Sequence, residues 1–157
     1  RRPMTALIPG IDPGKSGALA LLHPDGWLVD VVDMPSVTGA ALGAQVADLL
    51  ADFSPDTVGV AWVEKVHSMP KQGVASVWTF AEGYGSLLGA LGALRVPVHH
   101  VTPQAWKKAE GVTADKSTSR QRACELWPTE SHRFARVKDD GRAEACLIAR
   151  YGLGVGS

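Results

Sequence analysis

Cysteine is nearly absent: Cys124 and Cys146 are the only two, and neither belongs to a C-x-x-C pair. That excludes a disulfide framework and a thiolate zinc site, and makes reduced, buried thiols the expectation. Long hydrophobic runs are also missing. The longest uncharged apolar stretch, "SLLGALGAL", is far too short to cross a bilayer, and no charged-then-apolar leader opens the chain. Charge of one sign is not in excess either, because 16 Lys and Arg balance 16 Asp and Glu. No repeat and no low-complexity linker divides the 157 residues, a length suited to one core. A single soluble domain over residues 1–157 is expected, without a membrane, in the cytoplasm of a bacterium or a phage-infected host.

The balanced charge hides an asymmetry. Residues 1–90 hold five Lys or Arg against nine Asp or Glu, whereas residues 91–157 hold eleven against seven. The basic residues gather in "QAWKK", "DKSTSRQR" and "HRFARVK". Such local enrichment can neutralise phosphates in a protein of zero net charge, although on charge alone it equally describes a solvated helical face.

The stretch "IPGIDPGKSGALALL" invites two readings. A phosphate-cradling loop of the form G-x-x-x-x-G-K-[ST] would need its opening glycine at residue 9, which is Pro9. It would also run into a helix whose N-terminal amides hold the anion, yet "SGALALL" is a short apolar run that stops at "HPDG". The alternative places Asp12 at the end of a first strand, Thr5 to Asp12, with a "PGKSG" turn leading into a second strand, Ala18 to Leu22. Taken alone, Asp-Pro-Gly is an ordinary capped turn, so a functional role for Asp12 requires further carboxylates.

A third strand follows at 27–34, and together the three form an antiparallel meander. Leu42, Val46, Leu49, Leu50 and Phe53 then recur at helical spacing, with Ser36 or Thr38 as cap. The nearly all-apolar "DTVGVAWVEKV" (56–66) predicts a strand covered on both faces and ending in Glu64. A long helix from about Val74 to Leu94 carries Gly83, Gly85, Gly89 and Gly92, which cost helix propensity. Small residues there imply deep packing on the sheet or a subunit interface. "VPVHHV" (96–101) predicts a fifth strand, with His99 and His100 on opposite faces, and three helical segments close the chain. This order implies an α/β fold: a mixed five-stranded sheet, a three-strand antiparallel meander plus two parallel strands, with helices on both faces.

In such a sheet the first and fourth strands are plausible central neighbours, which would set Asp12 beside Glu64. In "KDDGRAEA", Asp140 and Glu144 are four apart and share a helix face, while Asp139 is a natural N-cap. Clustered carboxylates are costly unless cations compensate them. Oxygen ligands without His or Cys favour Mg²⁺ or Mn²⁺. Two such ions about 4 Å apart activate a water and stabilise the leaving oxygen of a phosphodiester.

With these residues in view, "GIDPGKSGALALL", "WVEKV" and "KDDGRAEACLIARYG" resemble the RuvC-like Holliday junction resolvases of the RNase H-like superfamily. The phage and chloroplast branch is the most similar, on "MPKQGVASVWTFAEGYGSLLGAL" and "VTPQAWKK". The resemblance covers nearly the whole chain. It implies a Mg²⁺-dependent endonuclease with two ions per site, acting as a homodimer on a four-way DNA junction. Two opposed strands would be nicked, leaving 5′-phosphate and 3′-hydroxyl ends. It carries Asp12, Glu64 and Glu144 over as metal ligands. The fourth ligand of RuvC falls at Gly141 here, so Asp140 or Asp139 must take that role, with Asp140 preferred on helical geometry.

Lys15, Lys71, Lys107, Lys108, Lys116 and Lys138 are candidate phosphate contacts. Met69, Gln72 and Trp78 are candidates to wedge or stack at an opened junction. Trp78 could equally be core, and Tyr84 and Trp106 are expected there. Two rival functions remain at this level. One is an RNase H-like nuclease of other specificity, related to the RNA-processing YqgF proteins. The other is a non-catalytic junction-binding module, against which an intact carboxylate set argues.

Overall fold

Strand β1 (Ile8–Asp12) is short and hydrogen-bonded on both sides, to β2 (Ala18–Leu22) antiparallel and to β4 (Ala61–Glu64) parallel. The computed structural model describes residues 6–51, 57–66 and 71–156. In these, β2 also pairs antiparallel with β3 (Leu28–Asp33), and β4 pairs parallel with β5 (Val98–Val101). The sheet order is β3-β2-β1-β4-β5, the expected meander plus two parallel strands, with β1 and β4 adjacent.

Every residue of β2 is buried, so alternation splits the strand between two cores. Ala18, Ala20 and Leu22 pack with Trp106, Phe134, Ala145 and Ile148 beneath α5 (Asp140–Gly156). Leu19 and Leu21 face the other way and join Ile11, Val63, Val46 and Leu87 beneath α1 (Gly39–Ala51) and α2 (Val74–Ala93). Between β5 and α5 run α3 (Pro103–Glu110) and α4 (Lys116–Leu126), then 3-10 turns at Pro128–Phe134 and Val137–Asp139. The periodicity gave no sign of those turns.

One expectation needs correction and one open reading is decided. The fourth strand is four residues long rather than eleven, preceded only by a parallel bridge between Leu7 and Val58. Both its faces are covered, though unequally. Ala61 and Val63 are buried on the α1 and α2 side, whereas Trp62 and Glu64 are half-buried, with Trp62 packed against Tyr151 and Gly152 of α5 and stacked on His99. Trp78 is 73% exposed and belongs to no core. His99 and His100 do diverge, His100 approaching Tyr84 on α2. The expected positions of Thr5 in β1, Phe53 in the first helix and Met69 in the following loop lie outside the described residues.

Candidate active site

The register aligns Ile11 with Val63, which puts the next residues, Asp12 and Glu64, at the same end of adjacent parallel strands. Helix α5 crosses directly over β1 because Gly10 has no side chain. A Cβ there would stand 2.3 Å from the Ala145 carbonyl oxygen and 2.4 Å from the Ala149 nitrogen. A second close approach occurs one turn earlier on α5, where a Cβ at Gly141 would meet the Ser16 carbonyl oxygen at 2.0 Å. The helix is thus seated on both β1 and the turn after Asp12, and Glu144 comes within hydrogen-bonding reach of the Asp12 carboxyl.

The electrostatics follow from that convergence. Burial raises the Asp12 pKa well above its ordinary value, and the Glu144 and Glu64 charges add to the rise. Burial also raises Glu64, partly offset by Trp106, whose indole Nε1 donates to Glu64 Oε2 at 2.7 Å. Trp106 is completely buried and is therefore core as expected. Its hydrogen bond to a site carboxylate was not foreseen. The available signal was that a buried indole N–H needs a partner.

The two adjacent aspartates have different surroundings. Asp140 Oδ2 is 2.8 Å from Lys116 Nζ, and the Lys116 pKa is raised by this bond and by the Asp140, Glu144 and Asp12 charges. Lys116 is set there by α4, whose N-cap Asp115 accepts from the Ser117 amide at 2.9 Å. Asp139 is 1% exposed and engaged elsewhere: Oδ2 accepts from the Arg136 amide at 2.9 Å and Oδ1 from its guanidinium at 2.8 Å. Burial would raise the Asp139 pKa, but Arg136 and Arg142 hold it below the usual carboxylate range. Arg142 also grips Asp33 at the end of β3, with Nε donating to Oδ1 at 2.7 Å.

Asp12, Glu64 and Glu144 therefore come together, with Asp140 joined to them through Lys116. Among the described residues, no group of three or more His, Cys, Asp or Glu is disposed to hold a metal ion. With the side chains placed as they are, Glu64 turns one oxygen to Trp106 and Asp140 one oxygen to Lys116. The donor chemistry is nonetheless that of a hard-cation site. It offers oxygen alone, and a buried carboxylate next to two others is stabilised by added positive charge. The Lys116 ammonium already supplies one such charge.

The other candidates lie around this cluster. Lys107 Nζ sits 5.3 Å over the Trp106 ring, and its charge lowers the Glu64 pKa. Lys15, Lys71, Lys108 and Lys138 are exposed, as are Gln72 and Trp78. Residues that the sequence did not single out are Trp106 as a partner of Glu64, Arg136 and Arg142 as the clamp on Asp139, and the two contact glycines.

Sheet order and the crossing helix are those of an RNase H-like fold. Comparison with solved structures gives the particular neighbours. RuvC of Thermus thermophilus matches with a TM-score of 0.66 at 19% identity, covering 96% of each chain. The T. thermophilus RuvC in complex with a Holliday junction substrate matches at 0.65, again at 19% identity and 96% of each chain. The Fowlpox virus resolvase in complex with Holliday junction DNA matches at 0.53, with 14% identity over 95% of this chain and 97% of that one. No family model and no curated protein sequence matches. Among the described residues no helix is long and apolar enough to cross a membrane.

Proposed function

We propose that this chain is a divalent-metal-dependent endonuclease that resolves four-way DNA junctions, acting as a homodimer with one cut per subunit. The observation that carries the reading is the meeting of Asp12, Glu64 and Glu144 from two strands and a helix distant in sequence, around a carboxyl whose charged form is disfavoured. The junction-resolving neighbours, which share the fold across nearly the whole chain, supply the substrate class. A module that only bound DNA would gain nothing from concentrating negative charge where phosphates dock.

In this reading Asp12, Glu64, Asp140 and Glu144 hold two Mg²⁺ ions, or Mn²⁺ in their place. Metal held there would supply an activated water and charge stabilisation for the departing oxygen, and the ends left would be 5′-phosphate and 3′-hydroxyl. Asp140 is preferred to Asp139 as the fourth ligand, because Asp139 is committed to Arg136 while Asp140 shares Lys116 with the cluster. A Cβ at Gly141 would collide with the Ser16 carbonyl oxygen, so a side-chain ligand has no room at that position of this chain. Trp106 orients Glu64, and Lys116 offsets the negative charge of the cluster. Lys15, Lys71, Lys107, Lys108 and Lys138 contact phosphates, while Met69, Gln72 and Trp78 meet the junction centre.

The dimer reading rests on α2. Val74 and Trp78, 87% and 73% exposed, begin a stripe that continues through Gly85 and Gly92, where an added Cβ would meet nothing. The Gly85 and Gly92 part of the stripe suits helix-to-helix approach by a second copy, which leaves Trp78 near the start of α2 to the junction.

The test is incubation of the chain with labelled four-way junctions and with an RNA:DNA hybrid, with and without Mg²⁺. Symmetric paired nicks in the junction, dependent on the metal, are expected. Preferential cutting of the hybrid would instead assign an RNA-processing role.

A further inference from the structure

Between the turn after Asp12 and helix α2 lies a cavity of about 440 Å³ that has no part in the metal chemistry. Pockets for small organic ligands begin at about 300 Å³, so its size alone admits one. Its wall includes Gly14 and Lys15 of the turn, Thr38 ahead of α1, and Thr79, Phe80 and Tyr84 of α2.

Three properties narrow the ligand. The first is planarity, since Phe80 and Tyr84 are stacked with centroids 6.2 Å apart and planes 18° from parallel, an aromatic wall against which a flat ring packs well. The second is polarity at the margin, where the Thr38 and Thr79 hydroxyls both donate and accept and Lys15 carries an exposed charge. The third is position. Gly14 and Lys15 stand two and three residues beyond Asp12, so whatever enters the cavity lies along the same turn as the carboxylate cluster. Among ligands of a nuclease, a nucleobase is planar, edged with hydrogen-bonding atoms and joined through its sugar to a phosphate.

We propose that this cavity receives one unstacked nucleobase, that of a nucleotide next to the phosphodiester presented to Asp12. The inference rests on the nuclease reading above and adds to it a requirement: a base must leave its stack before the strand is cut. That cost is least where pairing is already disturbed, as at the crossing point of a junction. A side chain from a second copy is a poorer occupant, because the outward stripe Val74, Trp78, Gly85 and Gly92 contributes nothing to the cavity wall.

The test uses the full chain and a set of synthetic four-way junctions in which each nucleotide at the crossing point is replaced in turn by an abasic residue. At one position the wild type should cut the abasic junction about ten-fold more slowly, the order expected for loss of one base–aromatic contact. Thr79→Phe, which fills the cavity, should cut intact and abasic junctions at the same slow rate, and Phe80→Ala should narrow the ratio between them. In EDTA, 2-aminopurine at that position should change its fluorescence on binding the wild type but not on equal binding of Thr79→Phe. Should Thr79→Phe fail to fold, as read by its melting temperature, Phe80→Ala decides alone. A wild-type ratio and fluorescence response retained in the folded variants would overturn the proposal. So would a shift in oligomeric mass with that ratio unchanged, which would give the cavity to a second copy. A wild type that cuts no junction but still produces the fluorescence change would sink the nuclease reading and leave the base pocket standing.

Discussion

Trp106 and Glu64, from helix α3 and strand β4, are joined by a 2.7 Å hydrogen bond from a completely buried indole to a half-buried carboxylate. The bond lets a core residue determine the direction and the charge of a site residue. Burial pushes the Glu64 pKa up and the indole restrains it. Trp106→Phe keeps most of the packing and deletes the donor. A hydrogen bond to a charged group contributes about 1.5–3 kcal/mol, so cleavage should fall by roughly ten- to a hundred-fold. The acidic limb of the pH–rate profile should also move to higher pH, because Glu64 would need a higher pH to ionise. An unchanged profile would mean that Trp106 serves packing alone.

Asp12 gives a prediction about stability. Its folded pKa lies above the ordinary value of 3.8, so the folded state binds the extra proton. The resulting stability is fully present below that ordinary value and is lost as pH rises through the raised one. In EDTA the melting temperature should therefore fall over that window, and Mg²⁺ at neutral pH should raise it. Asp12→Asn should flatten the pH dependence, weaken the response to Mg²⁺ and abolish cleavage, while junction binding in a gel shift persists. Cleavage retained by this variant would remove the two-metal account.

The neighbouring aspartates should separate cleanly. Asp140→Asn should abolish cleavage with little loss of stability. Asp139→Asn should spare the chemistry but destabilise the fold by about 1.5–3 kcal/mol, since Arg136 and Arg142 lose a charged acceptor. Single-turnover cleavage and thermal melts of both variants measure this, and the reverse pattern would make Asp139 the ligand.

Gly141 tests the seating of α5. An Ala Cβ would lie 2.0 Å from the Ser16 carbonyl oxygen, and backbone has little room to give. Gly141→Ala should cost about 1–3 kcal/mol and lower cleavage further than the melting change accounts for, since it lifts Glu144 away from Asp12. Gly154→Ala on the same helix, where an added Cβ meets nothing, is the control and should leave both measurements near wild type.

Much of this arrangement was legible in the chain. The turn at "PGKSG", the apolar run that contains β4, although only four of its residues form the strand, and the four-residue step from Asp140 to Glu144 each carry a period or a spacing. Those are the signals that secondary structure writes into sequence. The pairing of β1 with β4 followed from topology. What stayed hidden depends on contacts between distant elements. Nothing local distinguishes Trp106 from any other core tryptophan, because its partner lies 42 residues away. Charge alone makes Lys116 a candidate phosphate contact and cannot show its 2.8 Å pairing with Asp140. The helical period alone does not decide between the core and the exposed reading of Trp78, which faces outward because α2 buries only Leu87 and Leu91. Gly10 and Gly141 are silent in sequence because the role of each is to have no side chain where another backbone passes.

The placement of α5 has a consequence for biosynthesis. Asp12 leaves the ribosome early and Glu144 late, so the carboxylate cluster cannot assemble before α5 is made. Under the proposed nuclease role, a polypeptide halted before that helix would lack the cluster and leave surrounding DNA uncut.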